Sequence, residues 1–382
     1  MSYDSVDKLQ KTLSEKVFHY AKDSKKAAGR ALGTLVEIIT YYLLNEWDLG
    51  YNTTIEGRLV EFGNPEITHN VEYSLHPILS QFETILTPPE LPITKSKLSR
   101  NCDRIKELLN SYTEKNNTLL SKDLILRNSC IIGEDDFTHL NAFLNSYRKN
   151  KAVIKIVKKM TKPFAMVECK RVGIEEGNKK GPQTIEKAKQ GAYVAKSVSN
   201  LQKIRNSDGI LFGTIPKEDD KFHTKPYTDL LEELINSPDT SMLQEFILTI
   251  GIVSNHGNWF TSDNPNKELK VLKQAYDWLI FLTDNGLSEF IDNLILRPSS
   301  TYRQVRKAFL TSYKGNSGNN QFTKVKMNLT ADRLLKRYFN ENIAVVTDWF
   351  NVLGPKSKSM SDIKQQLELL SQKDWDKIMI TR

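Results

Sequence analysis

The chain has 382 residues, 39% apolar, 9% aromatic and 26% charged, enough for one large domain or two ordinary ones. Three scattered cysteines, Cys102, Cys130 and Cys169, exclude a disulfide framework and a structural zinc site and fit a reduced, cytoplasmic protein. The net charge of +8 is local: residues 151–205 hold 14 Lys/Arg against 4 Asp/Glu, leaving 40 basic and 42 acidic residues elsewhere.

Helices are expected over 6–22 and 26–46. In the second, Leu32, Leu35, Val36, Ile39, Tyr42 and Leu43 recur at helical spacing. Its apolar run, Leu32 to Leu44, is too short for a membrane span and contains Glu37, and Asp4, Asp7 and Glu15 interrupt any signal-like start, so no membrane partner is expected. Alternation over 53–62 and 67–75 predicts two strands joined at Gly63-Asn64-Pro65. Pro88, Pro89 and Pro92 interrupt regular structure, a helical pattern resumes over 97–111, and 77–128 reads as a helical insertion. Cys130-Ile131-Ile132 leads into the acidic run Glu134-Asp135-Asp136, and 138–160 reads as a helix. A strand over 163–171, a basic loop from Gly173 to Gly181, a helix over 184–197 and a buried strand over 209–215 follow. This order predicts an α/β fold with a mixed sheet flanked by helices over 1–225. Residues 226–382 read as mainly helical, over 227–236, 240–251, 266–283, 286–295, 300–311, 330–352 and 360–380, with a low-complexity loop at 315–321.

The segment Pro163 to Lys170 is apolar except for Glu168 and Lys170, which share one face of a strand. Desolvating that pair is costly unless something binds there, and a divalent metal with a phosphodiester would offset the cost. Phosphodiester hydrolysis needs carboxylates to hold a metal and a cation to offset developing charge. Mg²⁺ binds through one or two carboxylates plus substrate phosphate. Glu168 and the backbone carbonyl of Cys169 suit the metal, and Lys170 suits the attacking water or the transition state. For the second carboxylate Asp136 leads, with Asp135 beside it, because a one-residue shift exchanges strand faces. The same acidic run also suits the opening of a helix. Glu72, on the strand expected over 67–75, is a further candidate.

Basic residues around this pair, Arg171, Lys179 and Lys180 among them, suit a polyanion, whose phosphates Lys and Arg neutralise. A second stretch, 303–337, holds nine Lys/Arg, including Arg303, Arg306, Lys307, Lys324 and Lys326, against Asp332 alone. With the Asn-rich loop 315–321 it reads either as a DNA-contacting region, where amides and arginines meet base edges, or as a solvated surface. No P-loop spacing and no paired histidines of a zinc hydrolase occur.

Asp136 followed by Glu168-Cys169-Lys170 resembles the PD-(D/E)XK nuclease motif, and the surroundings are similar to those of type II restriction endonucleases. The resemblance covers about residues 30–75 and 128–216. It implies a glutamate on the helix before the sheet, matched by Glu37, and a Lys or Gln on the helix after the E-x-K strand, matched by Lys187 and Gln190. The strand over 209–215 matches the fourth core strand. Asp135 stands where the motif usually has proline, and 32 residues separate Asp136 from Glu168. The implied protein is a restriction-endonuclease-like, Mg²⁺-dependent enzyme of a bacterial or archaeal cytoplasm, a homodimer cutting double-stranded DNA at specific sites, paired with a DNA methyltransferase. In that picture the helical C-terminal region serves recognition or dimerisation. Two rivals fit the same residues: a superfamily nuclease of DNA repair or phage DNA processing, and a non-catalytic DNA-binding protein in which Glu168 and Lys170 form a structural ion pair.

Overall fold

A computed structural model of the chain describes residues 6–173, 182–217, 221–238, 241–256, 267–313 and 320–380. At its centre lies helix α1 (Ser24–Glu46), opened by Asp23, whose side chain accepts from the Lys26 amide. Leu32, Leu35, Ile38, Ile39, Tyr41, Tyr42 and Leu44 are all buried, the pattern of a helix enclosed on every side. Each fully buried Leu or Ile contributes roughly 2 kcal/mol, so packing rather than helix propensity holds α1 in place.

α1 packs on a six-stranded sheet whose spatial order follows the chain. The strands are β1 (Thr53–Glu61), β2 (Asn64–Leu75), β3 (Ala165–Gly173), β4 (Leu248–His256), β5 (Trp278–Leu282) and β6 (Phe350–Gly354). β1, β2 and β3 are antiparallel, β3, β4 and β5 run parallel, and β6 is antiparallel at the edge. Val167 and Cys169 of β3 join Tyr73, Ile250, Ile252 and Ile280 in the core beneath α1. Met166 lies in the opposite layer with Val253 and Leu279, against α2 (Pro182–Ser197) and α3 (Lys267–Ala275). Alternation along the strand then turns Glu168 and Lys170 toward α2.

Between β2 and β3 the chain builds a second lobe with its own core, which includes Leu98, Ile105, Leu120, Ile132, Ile154 and Ile156. Its five-stranded sheet runs Ile78–Leu86, Lys151–Met160, Thr138–Arg148, Cys130–Glu134, Thr113–Glu114. Two sequence expectations are corrected here. Residues 77–128 are mostly strands and turns, with two short helices, Lys95–Asn101 and Asp103–Leu109. Residues 138–160 form a hairpin turning at Lys149 and Asn150 rather than a helix. Burial of Ala152, Ile154 and Ile156 with half-buried Val153 and Lys155 between them is a period of two, which the surrounding apolar density masks. A small sheet of Lys326–Asn328, Ile125–Arg127, Thr118–Leu120 and Ile93–Thr94 joins this lobe to the C-terminal part.

The described residues beyond 225 are mainly helical, but β4, β5 and β6 bring three strands from this part into the central sheet. Of the window 266–283 the first half is helix α3 as expected, while its end is β5 and the window 240–251 runs into β4; buried parallel strands are apolar on both faces and lack alternation. Leu211–Pro216 is a strand, but it belongs to a separate three-stranded sheet with Gln202–Arg205 and Phe222–Pro226, and β4 takes the place beside β3. Lys159 ties the lobes together. Its side chain is 0% exposed, and its ammonium donates to the carbonyls of Thr53 (3.0 Å) and Asn52 (3.4 Å) and to Thr54 Oγ1 (3.1 Å). Burial holds its pKa well below the ordinary lysine value. Among the described residues no helix is long and apolar enough to cross a membrane.

Candidate active site

The ladder between β2 and β3 has three rungs, Ala165–Leu75, Met166–Ser74 and Val167–Tyr73, and then the strands part. The next positions in that register are Glu168 and Glu72. The ammonium of Lys170 lies 2.7 Å from Glu168 Oε2 and 3.9 Å from Glu72 Oε1, so both carboxylates converge on one cation. The shorter contact is close as an ion pair but poorly aligned as a hydrogen bond. Glu168 is 3% exposed and Lys170 34%. Burial pushes the Glu168 carboxyl above its ordinary range, and the Lys170 charge partly offsets that rise.

A second cation completes the cluster. Lys324 pairs with Glu72 Oε2 and lies 3.4 Å from Glu37 Oε2 and 3.6 Å from Glu56 Oε1. Glu37 comes from α1, which Tyr73 fixes by donating its hydroxyl to the Glu37 carbonyl at 2.6 Å. Burial raises the Glu37 carboxyl, with Lys324 opposing. Glu56 sits on β1 with φ 56°, a left-handed backbone that a non-glycine residue adopts at a cost. The β1–β2 ladder skips the Glu56–Glu72 rung there, which frees both side chains toward Lys324.

On the α2 side a cleft of about 530 Å³ is lined by His69, Asn70, Glu168, Lys170, Gln190, Gly191, Tyr193 and Val194. A Cβ on Gly191 would meet the Tyr276 hydroxyl at 2.8 Å and Lys170 Cε at 3.4 Å, so glycine lets α2 approach the lysine. The Tyr276 hydroxyl is buried without a hydrogen-bond partner among the described residues. Burial, then the Glu168 charge, hold its pKa well above the ordinary tyrosine value. At the mouth, Glu61 accepts from the Tyr193 hydroxyl at 3.0 and 3.1 Å and lies 3.3 Å from His69 Nε2. A larger cleft of about 750 Å³, between the C-terminal end of α1 and the helix Leu329–Glu341, contains none of Glu37, Glu72, Glu168 or Lys170. Chemistry, not volume, marks the site.

Of the residues expected from sequence, Glu37, Glu168, Lys170 and Gln190 come together. Asp136 and Asp135 do not. They occupy the turn between Cys130–Glu134 and Thr138–Arg148 in the second lobe's sheet, and neither of those strands pairs with β3. Asp135 Oδ1 accepts from the amides of Phe137 (2.8 Å) and Thr138 (2.6 Å), a turn-closing role, and Asp136 is exposed. Glu72 takes the place beside Glu168. Cys169 sends its thiol to α1, where Sγ lies 3.4 Å from Thr40 Oγ1. Arg303, Lys307 and Lys326 are exposed, Arg306 donates to the Leu296 carbonyl at 3.0 Å, and Lys324 is buried in the acidic cluster rather than displayed on the surface. Only the backbones of Arg171 and Lys187 are described, and Lys179 and Lys180 lie outside the described residues. Sequence reasoning missed the acidic-cluster role of Lys324 and the buried hydroxyl of Tyr276, neither of which carries a local signal.

Four carboxylates, Glu37, Glu56, Glu72 and Glu168, thus surround two ammonium groups and leave two negative charges. Glu56 is 61% exposed and contributes least to that field. Among the described residues no group of three or more His, Cys, Asp and Glu side chains forms a ready metal cage. Mg²⁺ requires less of a protein, one or two carboxylates with phosphate and water completing the shell, and the Glu72–Glu168 pair with its charge surplus fits that demand. Compared with known protein families, curated proteins and solved structures, the chain matches none of them.

Proposed function

We propose that the protein is a Mg²⁺-dependent endonuclease of the PD-(D/E)XK kind that hydrolyses double-stranded DNA, most like a type II restriction enzyme. The observation that carries this reading is the convergence of Glu72 and Glu168, from adjacent strands, on the ammonium of Lys170. The succession of a glutamate-bearing helix, an acid-bearing strand, the E-x-K strand, a helix presenting Gln190 and a further core strand supports it. So does the basic surplus of residues 151–205.

Glu168 and Glu72 would hold the metal. Bound Mg²⁺ supplies polarisation of the phosphoryl oxygens and a lower pKa for water. Lys170 stands between the two carboxylates, where its charge offsets the negative charge that grows on the phosphate oxygens. The Gln190 amide, at the wall of the same cleft, is placed to orient the water or a phosphate oxygen. Exposed Arg303, Lys307 and Lys326 neutralise backbone phosphates. Cutting both strands of a palindrome is met most simply by a two-fold homodimer, with a methyltransferase protecting the host sites.

Incubating the full chain with supercoiled plasmid and Mg²⁺ tests this. Discrete fragments support site-specific cleavage and a smear supports a general repair or phage-type nuclease. Salt-sensitive binding with no cutting leaves a DNA-binding protein whose Glu168–Lys170 pair is structural. Cleavage that survives Glu168→Gln or Lys170→Met refutes the site.

A further inference from the structure

Lys324, expected from sequence on a DNA-contacting surface, is buried among carboxylates. It is 7% exposed, and its ammonium sits within 4 Å of three carboxylates, pairing with Oε2 of Glu72, whose Oε1 faces Lys170. The backbone that carries it is pinned. Phe322 and Met327, both 0% exposed, bridge across the turn, Asn128 Nδ2 donates to the Lys324 carbonyl at 2.8 Å, and the Asn128 amide donates to the Val325 carbonyl at 3.0 Å. Only the four-carbon side chain is free to relocate.

A lysine ammonium and a divalent cation on one carboxylate repel each other, strongly in a partly buried site, so the lysine weakens the metal's hold. We propose, on the basis of the nuclease reading above, that Lys324 is an internal counter-ion holding the metal's place. It pairs with Glu72 in the resting protein and leaves that carboxylate when a DNA phosphodiester enters. The phosphodiester supplies the alternative anion: Lys324 swings to it, Glu72 is released, and the divalent ion is taken up together with the substrate. Exposed Glu56 stands at the solvent side of the cluster, and exposed Lys326 lies two residues along the same turn. Lys324 is thus a positioning residue for Glu72, and metal affinity depends on DNA.

Mn²⁺ binding to the full chain, measured by electron paramagnetic resonance with and without a short DNA duplex, tests this apart from cleavage. Without DNA, Lys324→Met should bind Mn²⁺ about tenfold or more tightly than wild type, because one competing positive charge is gone. Lys324→Gln, which keeps a polar head in the same space, should shift in the same direction, and Lys324→Arg should stay near wild type. DNA should tighten Mn²⁺ binding to wild type and add little to the methionine variant. A merely structural lysine would leave affinity unchanged or weaken it, and that result in a folded methionine or glutamine variant overturns the proposal. If wild type and variants alike bind no Mn²⁺, or if binding is indifferent to Glu168→Gln, the metal site itself is wrong and the proposal falls with it. Wild-type binding that Glu168→Gln abolishes, with no gain on removing Lys324, leaves the nuclease reading standing and rejects only the counter-ion role.

Discussion

Glu72 and Glu168 share the ammonium of Lys170 across the point where β2 and β3 part, 3.9 Å from one carboxylate and 2.7 Å from the other. The relationship joins two segments almost a hundred residues apart and defines the candidate site more sharply than the E-x-K spacing does. Replacing any of the three with an isosteric neutral group should cripple catalysis while leaving the fold intact. For Glu72→Gln and Lys170→Met a loss on the order of 10²–10³-fold in cleavage rate is expected, the scale of removing one preorganised electrostatic group. Single-turnover cleavage of a plasmid, with circular dichroism to verify folding, decides it.

Asp136→Asn should cut DNA at the wild-type rate, because its exposed side chain lies in a turn of the other lobe. Asp135→Ala should also cut, though it loses the acceptor for the Phe137 and Thr138 amides, a cost of about 1 kcal/mol in stability. A rate defect in Asp136→Asn comparable to that of Glu72→Gln would reinstate the aspartate as the first acid.

The pH dependence follows from burial of Glu168, which raises its pKa in the folded protein. A metal on Glu168 would be held by its carboxylate form, so cleavage should fall off on the acid side at a pH above the ordinary glutamate range of about 4.3. For stability the sign is opposite. A raised folded pKa favours the protonated protein, a contribution present below the unfolded pKa and lost as pH rises through the folded one. Glu168→Gln should therefore melt at a higher temperature than wild type at neutral pH, and the gap should close in acid. Equal melting temperatures at neutral pH would count against the raised pKa.

Gly191→Ala is a test of α2 as the roof of the cleft. The added methyl would stand 2.8 Å from the Tyr276 hydroxyl and 3.4 Å from Lys170 Cε, so the helix or the lysine must shift. Cleavage should drop roughly tenfold or more, since displacements of about 1 Å near a reacting centre are costly. Unaltered cleavage would place the working surface elsewhere.

Lys159→Met should destabilise the protein by about 1–3 kcal/mol, because the Asn52 and Thr53 carbonyls lose a buried donor. Denaturant unfolding of the variant measures this, and a neutral result would mean that water or another donor takes over.

Parts of the site were legible because their signals are local. Glu168 and Lys170 stand out as charges on an apolar strand, and Glu37 and Gln190 fall on helices whose periodicity is plain within one window. The choice of the first acid was not local. Asp136 closes an apolar run, whereas Glu72 lies inside a mostly polar strand, and only the rung-by-rung register of β2 against β3 selects it. The strands β4 and β5 read as helices because both of their faces are buried and nothing alternates. Lys324 lay beyond sequence reasoning altogether, since a lysine in a basic stretch looks the same whether it ends in solvent or among carboxylates.

The insertion of residues 76–164 between the two acid-bearing strands orders events in time as well as space. As the polypeptide leaves the ribosome, Glu72 is made long before Glu168, and the intervening lobe can collapse on its own core first. Contacts so distant in sequence form late, which delays assembly of the carboxylate pair. Lys324 is made later still, so Glu72 meets its second cation only when the last sixth of the polypeptide arrives, together with β6 and the core residues Leu335, Phe339 and Trp349.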